Sequence, residues 1–582
     1  ISAGARFMPL NVSGAFHSRY MRQAREQFEG YLRDILFKEP CCPVVSNVTA
    51  RPYGTDVPGL LGQQITSPVN WVDTVRYLLR RGATIEQVGP GRVLTGLTRA
   101  TLRSERDEPL TKGARTVRPA RAEKVSEKES RTVSVASSYA LESGSFCSTY
   151  GLRLPYVSGS MYRGIASKEL VERMTRAGML SFVGTGGMPL EEITASIEYL
   201  QRRAPSGASY GFNLLHSHDD PRREDGLVSL FLARDVNLVE ASAFVDVTPA
   251  LVRYRLKGVR RGDDGSVVIQ HRIMAKLSRP EVAETFLSPP PEKLVKQLLD
   301  ARQITPEEAE LAPRIRMADD ITAEADSGGH TDAAVSLALI PTIARLRDSF
   351  HKKDPHLPRA RVGAAGGIGT PESAAAAFVL GAEYVVTGSI NQCTVESGAS
   401  ETVKNLLQDI NVQDTDYAPA GDMFELGSRV QVLRRGVFFP ARANKLYSLY
   451  RQYDSLDAID PETRRQLEGR YFHRTFESIW EEVRDDTRVS RGQMPNDRQR
   501  MLAVFKWYFA HSTQLALSGD KDQVVDFQVH CGPALGAFNQ WVKGTGMEDW
   551  HNRHVDDIAI KLMDEVTQVL DKRTRRSAVN AN

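Results

Sequence analysis

The 582-residue chain is 41% hydrophobic and 25% charged, the composition of folded globular protein, and its length implies more than one domain. Seventy-five Lys and Arg face 72 Asp and Glu, so no global positive field argues for nucleic acid or an anionic membrane. Five cysteines, with Cys41 and Cys42 adjacent, make no disulfide framework; with neither a signal-peptide pattern nor an apolar run long enough to span a bilayer, a reducing cytoplasm is the expected setting.

Residues 1–100 read as folded, with a helical period in MRQAREQFEGYLRDIL and a β-like PVVSNVTA. Residues 101–145 change character. TLRSERDEPLTKGARTVRPARAEKVSEKESRTVS is charged, lacks aromatics and has no apolar period, so this stretch is expected to be a flexible linker. Over 146–412, short β-branched or apolar runs alternate with helical patterns. The candidate strands are LPYVS, MLSFVG, SYGFNLL, NLVEASAF, RIMAKL, DITAEA, RVGAA and EYVVTG. Strand–helix alternation gives a parallel sheet, and eight such units give an α/β fold of the closed (β/α)8 type, a TIM barrel, with an open doubly wound sheet as the alternative. From 413 to 582 strand signals fade and the pattern reads as a helical region packed on the barrel. The terminal DKRTRRSAVNAN reads as a tail.

RVGAAGGIGTPESAAAAFVLGAEYVVTGS, residues 361–389, places glycine-bearing turns after two successive strands. In a barrel these are strands seven and eight, whose loops often hold a phosphate. Gly366 and Gly367 allow close backbone approach to an anion, the helix near Thr370–Glu372 turns free N–H groups the same way, and Gly388 and Ser389 add N–H groups and a hydroxyl. The spacing is neither a nucleoside-triphosphate loop nor the dinucleotide fingerprint, which leaves a flavin mononucleotide or a phosphosugar. Other strand ends carry polar residues in apolar company. Asn213 offers donors and acceptors for a flavin ring edge. Lys276, inside an apolar strand, would neutralise a reduced flavin or bond its oxygens. His330, after two glycines, would donate a hydrogen bond or proton to substrate. HSHDD, residues 216–220, has two histidines near carboxylates, but a polar loop explains it and no metal site is expected.

YVSGSMYRGIASKELVERMTRAGMLSFVGTGG, AKLSRPEVAETF, EADSGGHTD, GAAGGIGTPESAAAAFVLGAEYVVTGSINQ and DFQVHCGPALGAFNQWVKGT resemble the trans-acting enoyl reductases of polyketide and polyunsaturated-fatty-acid synthases. These belong to the flavin-dependent nitronate monooxygenase-like barrels. The resemblance spans about residues 146–575. It implies FMN, NADPH and an enoyl thioester on an acyl carrier protein, other synthase subunits as partners, and leaves a homodimer open. It places the family's reduction-linked histidine on His330, its phosphate positions on Ala365, Gly366, Gly367, Gly388 and Ser389, its asparagine on Asn213, and a ring-backing main chain at Met161. Subfamilies differ at the position of Lys276. RVQVLRRG is a candidate dock for an acidic carrier.

LNVSGAFHSRYMRQAREQFEGYL, PVVSNVTARPY, SPVNWVDTVRYLLRRG and GPGRVLTGL resemble the C-terminal part of a malonyl-CoA:acyl carrier protein transacylase, with His17 on that family's catalytic base. The family's nucleophile motif, Gly-His-Ser-x-Gly, is absent. The expectation is a partial α/β acyltransferase domain without transfer activity, with apolar surface exposed. A nitronate-type monooxygenase, a transferase in an intact parent, and a non-catalytic carrier-binding adaptor are the other function classes.

Overall fold

The computed structural model describes residues 17–33, 42–83, 144–216, 220–329, 333–485 and 495–579, with single positions at 35, 37, 85, 94, 97, 98 and 101. The chain divides into two compact units, Ile1–Arg131 and Thr132–Asn582.

In the first unit, helices Arg22–Leu32 and Val57–Gln64 pack together, and Trp71–Arg80 follows. Asp56 caps the second by accepting from Gly59 N at 2.9 Å. The β-like PVVSNVTA does not extend into a strand. It forms a tight hairpin with one bridge, Val45 to Pro52, and no further strand pairs with it among the described residues. Tyr20, Tyr31, Val44, Val69 and Val72 are all exposed.

The second unit holds the eight parallel strands expected: β1 Tyr156–Ser158, β2 Leu180–Val183, β3 Gly211–Leu215, β4 Leu238–Ser242, β5 Arg272–Leu277, β6 Asp320–Glu324, β7 Arg361–Ala365 and β8 Tyr384–Thr387. They close into a barrel as β1 pairs with β8 (Ser158 with Thr387). Each strand is short and almost wholly buried, because one side faces the barrel interior and the other the helices. Phe146, from the helix Ser145–Tyr150, stacks on Tyr384 at 4.1 Å inside the end where β6 and β7 begin, so this helix plugs the floor.

The helical ring is not completed in chain order. The helix Val555–Val579 packs against both Pro371–Val379 and Lys168–Arg176, the position of the eighth helix. Arg173 pins this closure through Asp556 (2.5 Å) and Glu396 (3.3 Å). Residues between β8 and this helix therefore form an excursion from the barrel. Part of it has its own apolar core, including Phe424, Phe439, Leu446, Phe476, Phe505 and Phe509. The excursion also contains an antiparallel ribbon, β9 Thr415–Pro419 with β10 Arg429–Leu433, where only helices were expected. Val430 to Leu433 of the candidate dock RVQVLRRG are buried strand residues. Its Arg434 and Arg435 donate to the carbonyls of Gln413 and Asp409. The last helix also continues to Val579, through most of the segment read as a tail. That segment is rich in Lys and Arg, which are good helix formers.

His271, just before β5, is 3% exposed; its Nδ1 lies 2.6 Å from Lys257 O, and its ring packs on Tyr254. Burial lowers its pKa below the ordinary histidine value, against the pull of that carbonyl. The unfolded chain therefore takes up this proton first. Stability is complete above the unfolded pKa of about 6.5 and declines as pH falls toward the folded value. The urea midpoint is expected to drop between about pH 7 and about pH 5, and to drop less in His271→Asn, which keeps a donor for the carbonyl.

Candidate active site at the barrel mouth

Strand pairing sets the two glycine turns side by side. β7 and β8 are neighbours, with Ala365 opposite Val386, so Ala365–Gly366–Gly367 and Gly388–Ser389 leave the same rim. Gly366 has φ +85°, and a Cβ there would come within 2.4 Å of Ala325 O, so only glycine fits. Nothing lies within 4 Å of the place a Cβ on Gly388 would take, and for Gly367 only Ser336 Oγ comes as near as 3.9 Å. The two turns thus border open space. Ser389 Oγ accepts from Gly532 N at 3.0 Å, which leaves its O–H able to donate. Thr370 and Ser373 form a capping box at the start of Pro371–Val379.

The neighbouring strand ends build a charged row. Lys276 Nζ lies 3.6 Å from Glu324 Oε1 and 3.8 Å from Glu240 Oε2. Burial alone would lower the lysine pKa, but the two carboxylates more than offset this and raise it. Glu240 is fully buried; its Oε2 accepts from the backbone N and hydroxyl of Ser160, whereas Oε1 has no hydrogen-bond partner. Asn213 donates both amide hydrogens, to Glu240 O and Ser242 Oγ, each at 3.0 Å. Met161 O lies so close to Gly184 that a Cβ there would approach to 1.6 Å, which fixes the loop after β1 against that after β2. Lys276, Asn213 and Glu240 therefore lie together on adjoining strands, while Met161 and Ser160 enter from the loop after β1.

His330 lies outside the described residues. Its flanking turn is described: Gly329 N donates to Ser327 Oγ at 3.2 Å, and Ser327 Oγ donates to Glu324 Oε1 at 3.2 Å. Gly328 O sits 2.9 Å from His530 Nδ1. His530 belongs to residues 528–532, a segment inside the stretch DFQVHCGPALGAFNQWVKGT that carries the family resemblance, but sequence reasoning gave it no role. It returns from the excursion and lies across the mouth. Gln392 Nε2 donates to His530 O at 2.5 Å, Gln528 Nε2 approaches His530 Nε2 at 2.7 Å, and Gly532 N reaches Ser389. Cys531 is buried and its thiol is pushed up to about 12, so it acts as packing, not as a nucleophile. Gln431 on β10 and Tyr417 on β9 both donate to Asp326, just after β6.

Two other sequence candidates stand elsewhere. His17 belongs to the first unit, is exposed, and holds Gln64 O through Nδ1 at 2.8 Å. His216 of HSHDD lies 2.9 Å from Glu224 and packs on Phe244; residues 217–219 lie outside the described residues. Among the described residues no cluster of three or more His, Cys, Asp or Glu could hold a metal, and no helix is long and apolar enough to cross a membrane.

Residues 453–527, within the excursion, match the family described as acyl-carrier-protein S-malonyltransferase, inserted helical domain. The polyketide biosynthesis protein PksE of Bacillus subtilis (strain 168) is 50% identical over 575 residues, covering 97% of this chain and 74% of its own. The crystal structure of the enoyl reductase domain of MlnA, from the macrolactin biosynthesis cluster of Bacillus amyloliquefaciens, is 44% identical. It matches 75% of this chain and 100% of its own with a TM-score of 0.73. The polyketide biosynthesis malonyl CoA-acyl carrier protein transacylase BaeC of Bacillus velezensis (strain DSM 23117) is 54% identical over 93 residues, 16% of this chain and 32% of its own. The chain belongs to the family of PksE-like polyketide biosynthesis proteins, and it joins a transacylase-like segment to an enoyl-reductase-type barrel.

Proposed function

We propose that the barrel is an enoyl reductase that reduces an α,β-unsaturated thioester on an acyl carrier protein, with FMN as resident cofactor and NADPH as reductant. The observation that carries this reading is the meeting, on one rim, of two open glycine turns with a row of buried charge. The donor set fits a flavin nucleotide. Main-chain N–H groups at Gly366, Gly367 and Gly388, with the Ser389 hydroxyl, suit its phosphate. The orphaned Glu240 Oε1 is a buried acceptor awaiting an N–H, which a flavin's imide edge carries. Bound there, the flavin would supply hydride transfer.

The chain's own residues would do the rest. Met161 main chain would back the ring, Asn213 and Lys276 would orient it, and His330 would donate a hydrogen bond or proton to the thioester. Segment 528–532 narrows the mouth and limits water. The MlnA domain is described as an enoyl reductase, and PksE is named for polyketide biosynthesis; both support this substrate class and partnership with synthase subunits.

The test is spectroscopic. Purified protein should be yellow, bleach with NADPH, and recover on anaerobic addition of a crotonyl thioester. Failure to bind FMN, or recovery only with oxygen, would overturn the proposal. A second measurement isolates the phosphate turn. Gly388 has φ −125°, and its Cβ space is empty of protein, so Gly388→Val should leave the melting temperature nearly unchanged. Flavin affinity should fall by about tenfold or more, as loss of charge-assisted contacts dictates.

A further inference from the structure

A cavity of about 580 Å³ lies where the excursion meets the loop after β1. It is lined by Arg163, His473, Arg474, Trp507, His511 and Gln514, among others. Arg163 enters it from the turn that follows Met161, in a left-handed conformation (φ +50°) that a non-glycine residue holds only when its surroundings enforce it. Its backbone N is tied to Gly186 O at 2.9 Å. Its side chain is exposed and lies over the Tyr162 ring at 5.9 Å, and among the described residues its guanidinium has no ion pair or hydrogen-bond acceptor.

Opposite stands a prepared wall. Trp507 stacks on His511 with 4.5 Å between ring centres, Arg474 lies over Trp507 at 5.4 Å, and Trp507 Nε1 donates to Glu482. Glu482 is also held by Arg474, so the cavity's carboxylate is already matched while Arg163 is not. A second arginine-lined cavity, at the barrel floor, differs in kind. There Arg255 meets Asp319, Arg361 meets Asp320, Arg359 meets Glu383, and Arg316 donates to Pro358 O.

We propose that the upper cavity binds a phosphate ester, with Arg163 as the anion's direct partner and the aromatic wall beside it. Two molecules of the proposed reaction carry such a group: a dinucleotide with a 2′-phosphate, and a carrier's phosphopantetheine arm. The relevance to turnover rests on the reductase reading, but binding can be read without it.

Calorimetry on the full chain should compare adenosine 2′-monophosphate with adenosine, and 4′-phosphopantetheine with pantetheine. One phosphorylated probe is expected to bind about tenfold to a hundredfold tighter than its unphosphorylated form, the range for a charge-assisted contact. The adenosine pair would assign the cavity to the dinucleotide, the pantetheine pair to the carrier arm. The difference should vanish in Arg163→Gln and largely return in Arg163→Lys. Gln514→Glu, which adds negative charge to the same cavity and leaves Arg163 in place, should weaken it. If neither phosphate matters in the wild-type protein, or if the preference survives Arg163→Gln, the proposal fails. A colourless protein that still shows the preference would instead remove the reductase reading and leave this one standing.

Discussion

Asp320→Ala is expected to destabilise the barrel by about 3–5 kcal/mol, the cost of leaving a buried charge without its partner. Asp320 is fully buried. It holds the Arg361 guanidinium with two parallel contacts, 2.6 and 2.9 Å, and accepts from Tyr150 Oη at 2.5 Å. The three residues tie β6 and β7 to the floor helix. Arg361 also lies over the rings of Phe146 and Tyr150, which cover the charge without neutralising it. Removing both charges should therefore cost less than the first removal alone suggests. Urea unfolding of Asp320→Leu, Arg361→Met and Asp320→Leu/Arg361→Met, beside Asp320→Ala, would show this as strong non-additivity. A single-variant loss below about 1 kcal/mol, the range of an exposed pair, would mean that the pair does not anchor the floor.

If the barrel carries out the proposed enoyl reduction, Lys276→Met is expected to slow it by about 10²–10³-fold, the usual effect of removing a fixed charge from a site where charge develops. Among the described residues Lys276 is the one cationic side chain on the C-terminal half of a barrel strand. Its loss would also leave Glu240, fully buried, without a counter-charge, so stability should fall as well. The double variant Lys276→Met/Glu240→Gln, compared with Glu240→Gln alone at saturating FMN because Glu240 itself lines the proposed flavin site, separates the two effects. It should recover most of the stability and little of the rate, measured as anaerobic flavin reoxidation by a crotonyl thioester. Recovery of both would show that the lysine serves only to neutralise Glu240.

The barrel was legible because each strand is a short β-branched or apolar run between helical patterns, and all eight occupy the positions read for them. The glycine turns were legible for the same local reason. Glu240 and Glu324 were not singled out, although a carboxylate inside NLVEASAF or near the end of DITAEA is the same signal that singled out Lys276. His530 gives no such local sign: it meets Gly328 across 202 positions, and only the folded excursion brings them together. The ribbon leaves a weak signal because β9, TDYAP, is half polar and ends on proline, while the arginines around β10 mask its short apolar alternation.

The eighth helix has a consequence for biosynthesis. It is encoded after the excursion, so the seam between the first and seventh helices stays bare while the roughly 170 residues between β8 and this helix leave the ribosome, on the order of ten to thirty seconds at ordinary elongation rates. Through that interval the nascent barrel shows an oily furrow meant for Leu562 and Val566, and a passing chaperone or a neighbouring polysome would meet it before its own C-terminal helix does.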